Sequence, residues 1–178
     1  MAVLTETRTA LPTGTWTLDP VHSTVGFELP YLAGTFRGHF IDVDAKLTAD
    51  RLSGSARVAS IDVKDENLAA HLQSPEFFDA EEHPELTFAS RSIERSDDEL
   101  KVAGEVTIRG TTKPVELVGT IAGPMTDAFG NERVNVKLAT TVDRTAFGLN
   151  WNMPLPNGQP ALQNEVTLVA ELYFVQDA

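Results

Sequence analysis

Cysteine is absent from this chain of 178 residues, which closes off both a disulfide framework and thiol chemistry. Cations are scarce: 14 Lys and Arg stand against 26 Asp and Glu, and the formal net charge of −12 would be repelled by a phosphate backbone, so nucleic acid is not an expected partner. Histidine is nearly absent too. Of His22, His39, His71 and His83, no two stand two or four residues apart, the spacing that sets two imidazoles on one metal. The acidic clusters at Asp42/Asp44, Asp62/Asp65 and Asp97/Asp98/Glu99 lack the glycine and terminal glutamate of a calcium loop. Gly54-Ser55 lacks the second glycine of a nucleophile elbow. No catalytic residue, metal site or cofactor is expected. No apolar run approaches the ~20 residues of a membrane helix, so no stable membrane insertion is expected either. Residues 1–14, MAVLTETRTALPTG, contain neither the basic start nor the apolar core of an export signal. The expected compartment is the cytoplasm, with an already processed periplasmic chain as the alternative. No repeat or polar linker divides the rest, which predicts a flexible segment over 1–14 and a single domain over 15–178.

What the chain does have is a period of two. Leu100, Val102, Gly104, Val106 and Ile108 alternate with Lys101, Glu105 and Arg109, and Val115, Leu117, Gly119 and Ile121 alternate with Glu116 and Thr120. The same holds for Val134, Val136, Leu138, Thr140 and Val142, and for Val166, Leu168, Ala170, Leu172 and Phe174. Alternate side chains of a strand point to opposite faces, so each segment has a dry face and a wet one. Upstream, Trp16 and Leu18 run into Asp19-Pro20, and Val25, Phe27 and Leu29 run into Pro30. A strand is predicted from Phe36 to Leu47 with Ile41, Val43, Ala45 and Leu47 on its dry face. The parity slips between Val58 and Ile61, as a bulge would make it do. The tally is eight main strands, starting near 24, 36, 55, 85, 99, 113, 133 and 164 and joined mostly by hairpin-length loops. One segment breaks the pattern. In 65–84, Leu68, Ala69 and Leu72 recur at helical spacing and Ser74-Pro75-Glu76 reads as a helix start, which predicts two short helices.

Eight strands make the barrel size that can hold one small ligand. Gly104, Gly119 and Ala170 on the dry face are expected to leave room inside. Parity nominates Phe27, Phe36, Phe40, Phe88, Val106, Leu117, Leu138 and Leu168 as cavity lining. Leu72, Phe77 and Phe78 on the helical insertion, and Phe147 and Trp151 on the long loop 144–162, join them near an entrance. Asp143-Arg144 ends a strand where that loop begins. The guanidinium fork of Arg144 suits a ligand head group at the cavity mouth, and it equally suits an Asp–Arg pair that fixes the loop to the barrel rim.

Several of these segments resemble a known family. Gly14-Thr15-Trp16 is similar to the Gly-x-Trp of lipocalins. Trp16 to Phe27 (WTLDPVHSTVGF), His71 to Asp79 (HLQSPEFFD) with Pro84 and Phe88, Val106 to Val115 (VTIRGTTKPV) and Asp143 to Gly148 (DRTAFG) together resemble the YceI-like family. Leu68-Ala69-Ala70 stands where that family often carries Arg-Asp. The resemblance implies an all-β fold: an eight-stranded antiparallel lipocalin-like barrel with a short helical insertion between strands three and four. It also implies binding or carriage of a long isoprenoid-type lipid, such as a polyprenyl chain or an isoprenoid quinone, and no established reaction. Two alternatives remain open. One is an enzyme acting on a small apolar substrate, with Asp143, Glu28 or His39 as acid or base, and the other is a stress or interaction module that binds no ligand. Pairing of edge strands between copies would make a homodimer.

Overall fold

A computed structural model describes residues 9–178. Among the described residues the strands are β1 (Trp16–Leu18), β2 (Thr24–Tyr31), β3 (Gly34–Phe40), β4 (Val43–Leu47), β5 (Leu52–Arg57), β6 (Ile61–Asp62), β7 (Glu85–Ser96), β8 (Glu99–Ile108), β9 (Thr111–Thr126), β10 (Glu132–Asp143) and β11 (Glu165–Gln176), with helix α1 (Glu66–Gln73) between β6 and β7. They form eight antiparallel staves, because the first three staves are each broken in two: β1 with β2, β3 with β4, and β5 with β6. Pairing runs β4, β5, β7, β8, β9, β10, β11 and back to β1, which bonds to both β11 and β4 and closes the barrel. At that end the sheet therefore lacks the open edge on which pairing between copies was expected to rest.

The breaks have local causes. Pro20 has no N–H to offer a ladder. The chain bridges the gap with Ser23, whose hydroxyl donates to the Asp19 carbonyl and accepts from the Tyr173 amide. The strand expected to run unbroken from Phe36 to Leu47 bends at Ile41-Asp42, and Ile41, predicted on the dry face, is exposed. Its two halves serve different partners: Phe36–Phe40 pairs with β2, and Val43–Leu47 pairs with β5. The parity slip between Val58 and Ile61 is a 3-10 turn over Val58–Ser60 rather than a bulge. This turn sits against the bend of the neighbouring stave, because the Ser60 carbonyl accepts from the Ile41 amide and the Ser60 hydroxyl from the Asp42 amide.

One helix forms where two are predicted. The Asp65 carboxylate caps α1 by accepting from the Leu68 amide at 2.8 Å. Ser74 ends it: its hydroxyl donates to the His71 carbonyl at 2.6 Å, and residues 75–78 continue as turns. Ser74-Pro75 is thus a helix stop, with proline just beyond the C-cap, and not a second start.

Residues 1–8 lie outside the described residues. Within 9–14, the Thr9 amide donates to the Arg95 carbonyl of the β7–β8 hairpin, Arg95 donates to the Ala10 carbonyl, and Leu11 is buried. Beneath them the closed end of the barrel is filled by Trp16, Leu47, Val102, Ile121, Val134, Val136 and Phe174, all fully buried. The indole N–H of Trp16 donates to the Thr13 carbonyl. No helix among the described residues is long and apolar enough to cross a membrane.

Candidate functional site

Above this packed end the barrel is hollow. The cavity measures about 550 Å³, with Leu18 and Leu172 towards the packed end. Its wall is apolar apart from Tyr31, His71, Arg144 and the Trp151 indole; Asp44, Ser53, Ser55 and Thr87 border it from strands whose inward parity carries Ala45, Gly54, Ala56, Leu86 and Phe88. Room comes from small residues on the wall, Ala45, Gly54, Ala56 and Ala170, and from a flare, since β9 and β10 stop pairing at Val118 and Ala139. The two glycines expected to make room have another role. A Cβ on Gly119 would stand 1.7 Å from the Lys137 carbonyl oxygen, and one on Gly104 would stand 2.3 Å from that of Ala89. Neither lines the cavity; each lets a neighbouring strand approach closely.

Every nominated side chain reaches this one space. Phe27, Phe36, Phe40, Phe88, Val106, Leu117, Leu138 and Leu168 line it from the staves, Leu72, Phe77 and Phe78 from the insertion, and Phe147, Trp151 and Arg144 from the loop after β10. The rings fall into two groups. Phe27, Phe40 and Phe78 have centroids 5.8–6.2 Å apart inside the barrel. His71, Phe77 and Trp151 lie 4.9–5.3 Å apart and tie the insertion to the loop. The His71 Nε2 and Glu76 carboxylate are 2.6 Å apart at the edge of this second group.

Arg144 is the one buried charged residue described, 6% exposed. Its Nε donates to the Gln163 carbonyl at 3.0 Å, and Nη1 donates to the carbonyls of Leu149 at 2.6 Å and Trp151 at 2.9 Å. The rim reading of Arg144 is thus realised through main-chain carbonyls and not through Asp143, whose carboxylate accepts from the amide and hydroxyl of Thr145. Those same bonds from Thr145 hold the Asp143 carboxyl below its ordinary range. Burial draws the Arg144 guanidinium below its usual value, and the nearby Asp143 charge opposes that shift. The second terminal nitrogen, Nη2, has no acceptor among the described residues, yet no buried side-chain nitrogen is left unsatisfied. It therefore opens onto free space, and Arg144 stands on the cavity wall.

The acid–base candidates lie elsewhere. Glu28 pairs with Arg37 at 2.7 Å, His39 lies 3.5 Å from Asp62, and neither they nor Asp143 lines the cavity. Sequence reasoning missed His71 as a wall residue, although it heads the HLQSPEFFD motif. The long loop 144–162 stands out in the sequence, but Met153, Leu155 and Leu162 within it are not nominated as lining, because no period marks an inward face there. Its arm from Asn152 to Leu162 is a small hairpin: Asn152 accepts from the Leu162 amide and donates to its carbonyl, Leu155 bonds to Gln159, and Leu162 pairs with Tyr31 of β2.

Comparison with known proteins matches the YceI-like domain to residues 16–174. The protein YceI of Escherichia coli O157:H7 is 28% identical over 163 residues, covering 87% of this chain and 82% of that one. Among solved structures, BcnA of Burkholderia cenocepacia superposes with a TM-score of 0.74 at 20% identity, covering 88% of this chain and 98% of that one. A polyisoprenoid binding domain from Saccharophagus degradans, implicated in plant cell wall breakdown, superposes with a TM-score of 0.72 at 9% identity, covering 91% and 98%.

Proposed function

The chain belongs to the YceI-like family, and on that premise we propose that its barrel binds and carries a long apolar lipid of the isoprenoid type, a polyprenyl chain, an isoprenoid quinone or a relative of these. The carrying observation is the hollow itself: about 550 Å³ walled by the aliphatic and aromatic side chains of eight staves, within the size range of ligand sites. The polyisoprenoid-binding neighbour supports the choice of lipid class. Burying about 500 Å² of a hydrocarbon tail would contribute roughly 12 kcal/mol gross at ~25 cal/mol per Å². Association costs about 4–15 kcal/mol, so a preformed cavity that orders little on binding decides whether affinity survives. Phe27, Phe40, Phe78 and Leu138 would contact the tail. Arg144 would offer Nη2 to an oxygen on the head group, while its three carbonyl bonds hold the fork in place.

The test is native mass spectrometry of protein purified without detergent, with organic extraction to identify what it carries. An extracted lipid bearing an isoprenoid chain is expected. Ala170→Phe, which places a ring in the hollow between Leu168 and Leu172, should leave the fold intact and remove that lipid. A folded wild-type protein carrying none after exposure to such lipids, or a variant with unchanged load, rules the reading out.

A further inference from the structure

The rim of the cavity has two unlike lips. The α1 insertion is acidic, with Asp65, Glu66, Glu76, Asp79, Glu81 and Glu82 within 65–82. The β2–β3 hairpin and the arm meet at the Tyr31–Leu162 bridge, and the arm's loop touches the insertion through Trp151. Residues 29–36 and 149–163 hold no Asp, Glu, Lys or Arg, in a chain where 22% of residues are charged. Apolar side chains stand out into solvent on this neutral lip: Leu32 is 66% exposed and Met153 57%, with Tyr31 half-exposed between them. Tyr31 and Met153 also line the cavity, so the exposed apolar surface runs into the interior without a break.

Leu32 is the sharper observation. The pairs Pro30↔Thr35 and Tyr31↔Gly34 leave a two-residue turn, and Leu32 occupies it at φ 52°. Glycine, asparagine and aspartate adopt that left-handed conformation readily, while a leucine there is strained and exposes its side chain to water. Nothing in the folding of the hairpin asks for it.

We propose that the neutral lip is a membrane-docking surface that seats Leu32, Tyr31 and Met153 in the interface of an uncharged bilayer, so that the cavity opens onto the layer from which an apolar ligand is drawn. The inference rests on the lipid-binding reading. An amphipathic tyrosine flanked by aliphatic side chains suits the headgroup boundary, and the lack of Asp, Glu, Lys and Arg spares the lip the cost of desolvating an ion. The acidic lip and the net charge of −12 work against an anionic surface, so the favoured surface is zwitterionic.

Flotation of the full chain with phosphatidylcholine vesicles tests this, alongside vesicles containing phosphatidylserine. The wild type should float with the former and less with the latter. Leu32→Asn combined with Met153→Gln should cut the floated fraction about fivefold or more. Leu32→Asn alone should raise Tm, since asparagine relieves the left-handed strain, while still weakening flotation; a merely structural leucine would not separate the two. The proposal is overturned if the wild type stays with the unbound fraction, if the double variant floats equally, or if sedimentation shows that these residues join two copies of the chain. Native mass spectrometry of the same samples tells the two readings apart. Retained lipid with no flotation sinks docking alone, and flotation of a chain that never holds lipid sinks the lipid-binding reading and, with it, the role given to the docking lip.

Discussion

At the closed end of the barrel Trp16, Leu47 and Phe174 pack side chain against side chain, and Arg133 clamps two carboxylates, Asp19 at 2.8 Å and Asp127 at 2.6 Å. At the mouth the fastening is made against main-chain carbonyls. Arg144 holds Gln163, Leu149 and Trp151, and Arg109 holds Gly148 and Pro75. One end is solid, and its arginine grips two carboxylates, which titrate; at the hollow end the two arginines grip carbonyls, which do not. The same eight staves serve both, so the difference lies in side-chain volume and in the chemistry of a few arginines.

Substitutions can break or sharpen that contrast. The largest effect belongs to Trp16→Ala, which removes the centre of the packed end and should cost about 3–5 kcal/mol in chemical denaturation. Arg144→Met comes next. It leaves three carbonyls without a donor and should cost about 3 kcal/mol, with a loss that stays constant from pH 5 to 9 because a guanidinium does not titrate there. Leu138→Ala, on the cavity wall, should fall near the low end of the core range at about 2 kcal/mol, since its side chain already borders empty space.

The smallest and most condition-dependent loss is that of Arg133→Met, a few degrees in Tm at neutral pH. Burial alone would raise the Asp19 carboxyl, but hydrogen bonds from His22 and Arg133 outweigh it and hold it at about 2. Asp127 is likewise held below the ordinary carboxylate range, chiefly by Arg133 and the Asn131 amide. A depressed carboxyl contributes stability that is present above its unfolded value near 4 and lost as pH falls towards the folded one. The wild-type protein should therefore weaken between about pH 4 and 2, and Arg133→Met should flatten that slope. Equal acid slopes in the two proteins would show that the clamp carries no weight.

Much of the cavity wall is legible in the chain because a period of two states which side chains share a face, and Phe27, Val106, Leu117, Leu138 and Leu168 all meet as parity requires. Parity says nothing about distance. Gly119 shares the inward face with Leu117, yet the Lys137 carbonyl lies where its Cβ would be, so its smallness serves strand contact and not volume. The closure is illegible for a different reason: Trp16 pairs with Gln176 from the other end of the chain, and three residues of β1 carry no long-range signal. The arm from Asn152 to Leu162 has neither helical nor strand periodicity, because two prolines pair across it and most of its bonds are made by turns. Charge is more informative there than periodicity, since a stretch such as 149–163 without a single Asp, Glu, Lys or Arg is unusual for a segment on the surface of so acidic a chain.

The solid end has one more consequence. With Leu18 and Leu172 as a floor and Trp16 and Phe174 stacked below, a guest that enters at the mouth cannot thread through. The vessel is blind, so a lipid of the proposed kind would have to go in tail first and stop where its hydrocarbon touches bottom. A molecule with polar groups at both ends would have to strand one of them in grease, and a tail longer than the depth would leave its excess in the doorway. Depth in such a vessel acts as a gauge of chain length, set by how far up the staves the large side chains reach.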